Sequence, residues 1–255
     1  ILRLHQSGFN VLVIDWPGQG LSGHFGKNPL AVHCDDFAVY LAALDAVIEA
    51  AGLGEDRLFL FGHSMGGHLA LRYAARRPRH SLGVILTAPM MAPPLMPIWL
   101  IRGLSALLLK VGLGCAYPPF HRVPALDRVR QFRPDNTLTR WKQGYESQFV
   151  WFDDMPKLRR NGPTVGWVNA AYHSSAHYTM NADWLRSIHV PVLAFVAGDE
   201  QIVSASATDY ALPFMPHLER HDFTGARHEL LHELPEVTDQ LWVSLFSFCA
   251  KHACP

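Results

Sequence analysis

The run Gly62-His63-Ser64-Met65-Gly66 constrains this chain more than any other feature. It fits G-x-S-x-G, and its neighbours give it a setting. Arg57 to Phe61 (RLFLF) is a short apolar run that reads as a buried strand. Residues 65 to 77 read as a helix, stopped by Pro78. A serine on a sharp strand-to-helix turn has strained backbone geometry, and its hydroxyl is aimed out of the sheet. Gly62 and Gly66 leave room for close packing. The helix N-terminus brings its positive dipole end and free N–H groups beside the hydroxyl. Ser64 is therefore the candidate nucleophile, and the Met65 N–H a candidate donor to an oxyanion.

The rest of the chain repeats the strand–helix alternation. Phe9 to Asp15 (FNVLVID) is a continuous apolar run expected to form a buried parallel strand. Ser81 to Thr87 and Pro191 to Ala197 read as further strands, with a weaker one near His217 to Phe223. Residues 35 to 52 carry helical periodicity and end at Gly52, and residues 235 to 251 read as a closing amphipathic helix. Such alternation predicts an α/β fold, a mostly parallel sheet with helices on both faces. Residues 90 to 188 break the pattern. Pro89 precedes them, Pro93, Pro94 and Pro97 open them, and they continue as the apolar run Ile98 to Gly114. That run is too short and too charged to span a bilayer. On a helix of about 100° per residue, Arg102 and Lys110 fall within about 80° of each other. A broad apolar face is left to line a pocket or touch a membrane surface. The expected division is a core of residues 1–89 and 189–255, with a helical cap of residues 90–188 inserted after the third strand.

Charge narrows the function classes. Lys+Arg and Asp+Glu are both 22 among 255 residues, so the basic excess of a nucleic-acid binder is absent. Cys34, Cys115, Cys249 and Cys254 show no paired metal spacing and no disulfide framework. No cofactor or metal is expected. The chain opens on Ile1 inside a helical pattern, with no basic or signal-like stretch before its first strand. The expectation is a piece whose upstream strands are missing, of cytoplasmic location and peripheral to a membrane at most, with any leader not assessable.

Three tracts then carry a resemblance: Asp15-Trp16-Pro17-Gly18-Gln19-Gly20-Leu21-Ser22, Gly62-His63-Ser64-Met65-Gly66-Gly67 and Gly225-Ala226-Arg227-His228-Glu229. With them the chain resembles the α/β-hydrolases, and within these the bacterial lysophospholipase and monoacylglycerol lipase group. Asn136-Thr137-Leu138-Thr139 and Gly162-Pro163-Thr164-Val165-Gly166-Trp167 resemble that group's cap. The resemblance covers nearly the whole chain. It implies a serine hydrolase whose second oxyanion donor lies upstream of residue 1.

A serine attacks a carbonyl only when a base takes its proton and a carboxylate orients that base. This fold orders them serine, acid, histidine. Gly198-Asp199-Glu200-Gln201-Ile202-Val203 follows the strand from Pro191 and holds two candidate acids. The family register, an acid, one variable residue, then two branched apolar residues, favours Glu200, with Asp199 as the alternative. His228 follows the last strand and is the expected base among 15 histidines. His63 reads as packing. The 90–188 stretch is rich in apolar bulk, including Met90, Met91, Met96, Trp99 and Trp167, which either packs its own core or forms an acyl pocket. Trp99 and Arg102 are the candidate substrate-binding residues. The resemblance implies a single-chain lipid ester, a lysophospholipid or a monoacylglycerol. Two rivals stay open. One is a serine aminopeptidase of the same fold, with Asp153, Asp154 or Asp183 anchoring the substrate amine. The other is a non-catalytic binding module on a hydrolase scaffold.

Overall fold

Period-2 alternation in the central strands builds two apolar cores, one on each face of a sheet. The computed structural model describes residues 1–95, 97–119, 121 and 129–253, so Met96 and Cys254 lie outside the described residues. In chain order the elements are α1 (Leu2–Gln6), β1 (Ala31–Val32), α2 (Ala38–Ala50), β2 (Leu58–His63), α3 (Met65–Arg76) and β3 (Ser81–Thr87). Next come α4 (Ile98–Lys110), α5 (Lys142–Asp154), β4 (Gly162–Pro163), α6 (Val165–His177) and α7 (Ala182–Arg186). The chain closes with β5 (Val192–Ala197), α8 (Ala205–Ala211), β6 (Leu218–Phe223) and α9 (Pro235–Ala253).

Strands β2, β3, β5 and β6 form a parallel sheet in the order β2-β3-β5-β6. Val192, Ala194 and Val196 of β5 join Val84 and Leu86 of β3 in a core with Leu69 and Leu71 of α3. Leu193, Phe195 and Ala197 point the other way, joining Ile85 and the Leu241, Leu245 and Phe248 stripe of α9. Side chains alternate across a strand, so buried runs such as VLAFVA feed both faces at once. Each fully buried Leu or Phe contributes about 1.5–3 kcal/mol over an exposed one. Helices on both faces match the sequence expectation.

The first expected strand does not form. Residues 9–15 have no secondary structure, and Val11, Leu12 and Val13 remain 36%, 44% and 58% exposed. A strand exists only as part of a ladder, since its N–H and C=O groups need a neighbour. Among the described residues no strand lies against this segment, and residues 10–14 make no backbone hydrogen bond. Apolar content alone cannot supply the pairing. The loop after it is nevertheless ordered. Asp15 Oδ2 accepts the Leu21 N–H at 2.8 Å, and Arg160 donates to the Gly18, Gly20 and Gly23 carbonyls. Gly20 has φ +51°, and a Cβ there would overlap the Asp15 carboxylate. Asp15 and both glycines of D-x-x-G-x-G-x-S thus shape this turn.

Between β3 and β5, α4 packs along α6. Sequence periodicity had marked only α4 in this stretch. The short β1–β4 pairing ties it to the rest of the fold, where Thr164 N–H donates to Val32 O at 2.9 Å. Thr164 also caps α6 by accepting the Trp167 N–H, and it bonds His33 Nδ1 at 2.8 Å. Among the described residues no helix is long and apolar enough to cross a membrane, and Cys34, Cys115 and Cys249 are free thiols.

Candidate active site

Ser64, the loop holding Glu200, and the loop holding His228 follow β2, β5 and β6, so all gather at the carboxyl ends of the parallel strands. Open α/β sheets bind ligands there. Ser64 sits at φ +52°, ψ −119°, a conformation that costs a non-glycine residue about 1–3 kcal/mol. The neighbours enforce it. Ser64 N–H donates to Thr87 O at 3.0 Å, and Ser64 O accepts from Met90 N–H at 3.0 Å. Gly62 has no room for a side chain, because a Cβ would overlap the Gly66 carbonyl and the Gly67 amide. Gly66 has open space, so of the two flanking glycines only Gly62 is required by contact. Met65 is the first residue of α3, and its N–H has no intrahelical acceptor. It is free to donate to a reacting oxygen.

Glu200 and His228 are joined by a hydrogen bond of 2.8 Å from Nδ1 to Oε2, with side chains 4% and 3% exposed. The other Glu200 oxygen accepts the Ile202 N–H at 2.8 Å and the Val203 N–H at 3.2 Å. Burial alone would raise the carboxyl pKa. The His228 bond and charge, with these two backbone donors, outweigh burial and hold it below the usual range. Glu200 is thus an ionised buried acceptor, and its bond to Nδ1 leaves His228 Nε2 free to take a proton. Asp199 points elsewhere. It takes Gln201 Nε2 at 2.9 Å and Arg227 Nε at 3.3 Å, is partly exposed, and is held below the usual range by the Gln201 bond first. The one-residue register argument favours the carboxylate that faces the histidine.

His63, read from sequence as packing, has a second carboxylate partner. Its Nε2 is 3.5 Å from Glu229 Oε1, its Nδ1 meets Thr87 Oγ1 at 3.2 Å, and its ring centroid lies 4.7 Å from that of His228. Burial opposes both charges, but the contact wins. The His63 pKa is raised and that of Glu229 is pulled down to about 2. Among the described residues His63, His228 and Glu229 each offer one ligand atom, all within 4.8 Å of one another. Sequence spacing does not reveal this group, because it is assembled from the ends of β2 and β6.

The His228 loop is braced by residues that the sequence reading did not single out. Glu233, fully buried, accepts the Arg227 and Arg140 backbone N–H groups through Oε1 at 2.9 and 3.1 Å. Glu229 N–H donates to Leu138 O at 2.8 Å, and Thr139 Oγ1 donates to His232 O at 2.8 Å. The Asn136–Thr139 tract is folded by its own Asn136, whose Oδ1 accepts from Leu138 and Thr139 N–H. The tract quoted for the family resemblance is therefore a clamp on the His228 loop. The one signal for Glu233 in the sequence is a carboxylate five residues after His228.

The candidate substrate residues both lie on α4. Trp99 is 72% exposed, and Arg102 is half-buried. Among the described residues no ring contact or ion pair joins either to Ser64, Glu200 or His228. Of the carboxylates proposed as amine anchors, Asp153 is paired with Arg130 and Asp183 with Arg186.

This geometry has counterparts in known proteins. Residues 1–235 match the family described as "Serine aminopeptidase, S33". Lysophospholipase L2 of Escherichia coli K12 is 26% identical over 268 residues, spanning 99% of this chain and 75% of that protein. Among solved structures, the monoacylglycerol lipase of Paleococcus ferrophilus superposes with a TM-score of 0.69 at 21% identity, over 99% of this chain and 87% of its own. A soluble variant of monoglyceride lipase from Saccharomyces cerevisiae gives 0.66 at 18% identity, over 93% and 76%. The last two likenesses establish the fold. With Ser64 on its strained turn and a match over most of its length, the chain belongs to the serine aminopeptidase S33 family of α/β-hydrolases.

Proposed function

We propose that this chain is a serine hydrolase that cleaves carboxylic esters of single-chain lipids through an acyl-enzyme. The observation that carries the reading is the buried 2.8 Å Glu200–His228 bond at the same sheet end as the strained Ser64 turn. In this mechanism Ser64 Oγ attacks the ester carbonyl carbon while His228 Nε2 takes its proton. The Met65 N–H donates to the oxyanion. Collapse breaks the ester C–O bond, and His228 returns the proton to the departing alcohol. Water then attacks the acyl-enzyme with His228 as base, freeing the fatty acid and Ser64. Glu200 stays ionised and holds the imidazole tautomer throughout.

The lipid substrate class rests on the names of the relatives, lysophospholipase L2 and monoacylglycerol lipase. In this reading residues 1–89 and 189–255 are the hydrolase core, and residues 90–188 are a cap over the site. Helix α4 turns Trp99, Leu104 and Leu107 outward, 72%, 50% and 58% exposed. Such a face suits the surface of a membrane or micelle that holds the substrate. Trp99 would sit among acyl chains, and Arg102 would meet a head-group phosphate when one is present. An aminopeptidase is the weaker reading because the relatives named above are lipid-ester hydrolases. Asp153 and Asp183 are engaged with arginines, while among the described residues Asp154 has no ion pair and stays the one open amine anchor.

Fatty-acid release from lysophosphatidylcholine and monoacylglycerol, set against cleavage of aminoacyl p-nitroanilides, tests the proposal. Ester cleavage with silent anilides is expected. Anilide cleavage with silent esters would move the function to the peptidase side, and silence on both would leave a binding module.

A further inference from the structure

We propose that His63, His228 and Glu229 form an inhibitory binding site for a divalent transition-metal ion, with Zn²⁺ the chemistry it fits best. The inference rests on His228 being the base of the proposed hydrolase.

The donor set is two imidazoles and a carboxylate, which suits zinc and lies outside the preferences of magnesium and calcium. The geometry is close to what the ion requires. Tetrahedral bonds of about 2.0–2.1 Å put ligand atoms about 3.3 Å apart. His63 Nε2 and Glu229 Oε1 already stand at 3.5 Å, and all three ligand atoms lie within 4.8 Å. The widest separation in the set, up to 4.8 Å, has to close by about 1.5 Å for all three atoms to reach one ion.

Both imidazoles are also held from behind. His228 Nδ1 is bonded to Glu200 Oε2 at 2.8 Å, and His63 Nδ1 to Thr87 Oγ1 at 3.2 Å. The Glu200 carboxylate can only accept, so it fixes the His228 tautomer and offers Nε2 as the ligand, while Thr87 Oγ1 orients the His63 ring; such support accompanies most metal-binding histidines. In both rings the nitrogen left for a metal is Nε2. Metal at His228 Nε2 would occupy the lone pair that must take the Ser64 proton. The ion therefore acts as a reversible block on the nucleophile. The block arises because the residue before the nucleophile and the residue after the base supply the other ligands.

One competing site has to be removed first. His173 and His177 stack at 4.2 Å on α6, a surface pair that can also hold zinc. The test therefore uses the His173→Ala/His177→Ala protein. Zinc binding is measured by competition with a chromogenic chelator. Ester hydrolysis and fluorophosphonate labelling are followed on the same samples, with chelator reversal. The expected result is one zinc per chain with parallel loss of turnover and labelling, restored by EDTA, and no response to Mg²⁺ or Ca²⁺. Glu229→Gln and His63→Gln should each weaken zinc binding at least tenfold, and each should shift half-inhibition equally against its own metal-free rate. Zinc binding that is absent, or undiminished in both variants, overturns the site. Zinc bound as expected to a protein that hydrolyses no ester when metal-free supports the site and counts against the hydrolase reading alone.

Discussion

Replacing Glu200 with Gln should lower kcat by about 10⁴, or about 5 kcal/mol of transition-state stabilisation, with little change in KM. The magnitude follows from the hydrogen bonds around the side chain. Ile202 and Val203 N–H groups, at 2.8 and 3.2 Å, fix one terminal atom as an acceptor. In the amide that atom must be the oxygen, so the NH₂ faces His228 Nδ1 at the 2.8 Å position. The imidazole then carries its proton on Nε2 and cannot accept one from Ser64. The volume is kept, so the fold should survive, which a thermal melt would verify. Glu200→Asp, still anionic but one methylene shorter, should recover part of the loss. Asp199→Asn is the matched comparison. Its carboxylate is partly exposed and faces Arg227 and Gln201, so turnover should stay within about twofold, the scale of a surface change. Initial rates on a soluble p-nitrophenyl ester decide the matter. Glu200→Gln retaining more than a tenth of the activity, or Asp199→Asn losing four orders of magnitude, would refute the assignment of the acid.

Further outcomes follow from the strain and charge at the site. Ser64→Gly should abolish turnover yet unfold at higher denaturant than Ser64→Ala, by about 1 kcal/mol or more, because only glycine accepts φ +52° without strain; equal midpoints would show the turn to be relaxed. Glu229→Gln should lower the melting temperature in a pH-dependent way. The depressed Glu229 pKa of about 2 gives stability that is present above the unfolded value of about 4.3 and lost as pH falls towards 2. The raised His63 pKa gives stability that is present below about 6.5 and lost as pH rises through its folded value. The gap to the wild type should therefore be widest between about pH 4.5 and 6.5, and a gap independent of pH would contradict the ion pair. Leu104→Glu with Leu107→Glu should weaken sedimentation with lipid vesicles at least tenfold while sparing hydrolysis of a soluble ester, since each Leu contributes up to about 1.5–3 kcal/mol on burial; unchanged vesicle binding would remove α4 from the membrane contact.

The parts legible in the sequence are those governed by local pattern. β2, α3, β3, β5 and α9 announce themselves by apolar runs, periodicity and Pro78, and the Ser64 turn by its glycines. The family register picked out Glu200, the carboxylate that contacts His228, over Asp199, because one residue of shift turns a side chain to another side of the loop. The failure at residues 9–15 has the opposite cause. A strand is a property of two segments, and an apolar run contains no information about its neighbour. The same limit hid α5 and α6, whose buried faces are set by what packs on them. It also hid the Glu233–Arg140 contact and the His63–Glu229 pair, whose partners are far apart in the sequence.

The central claim is that Ser64 is an activated nucleophile. Incubation with a fluorophosphonate probe, followed by intact mass and peptide mapping, tests it without any assumption about substrate. The account predicts one adduct per chain, on Ser64, formed more slowly in Glu200→Gln and absent in Ser64→Ala. A folded protein that takes no label, or labels elsewhere with Ser64 unmodified, would contradict it.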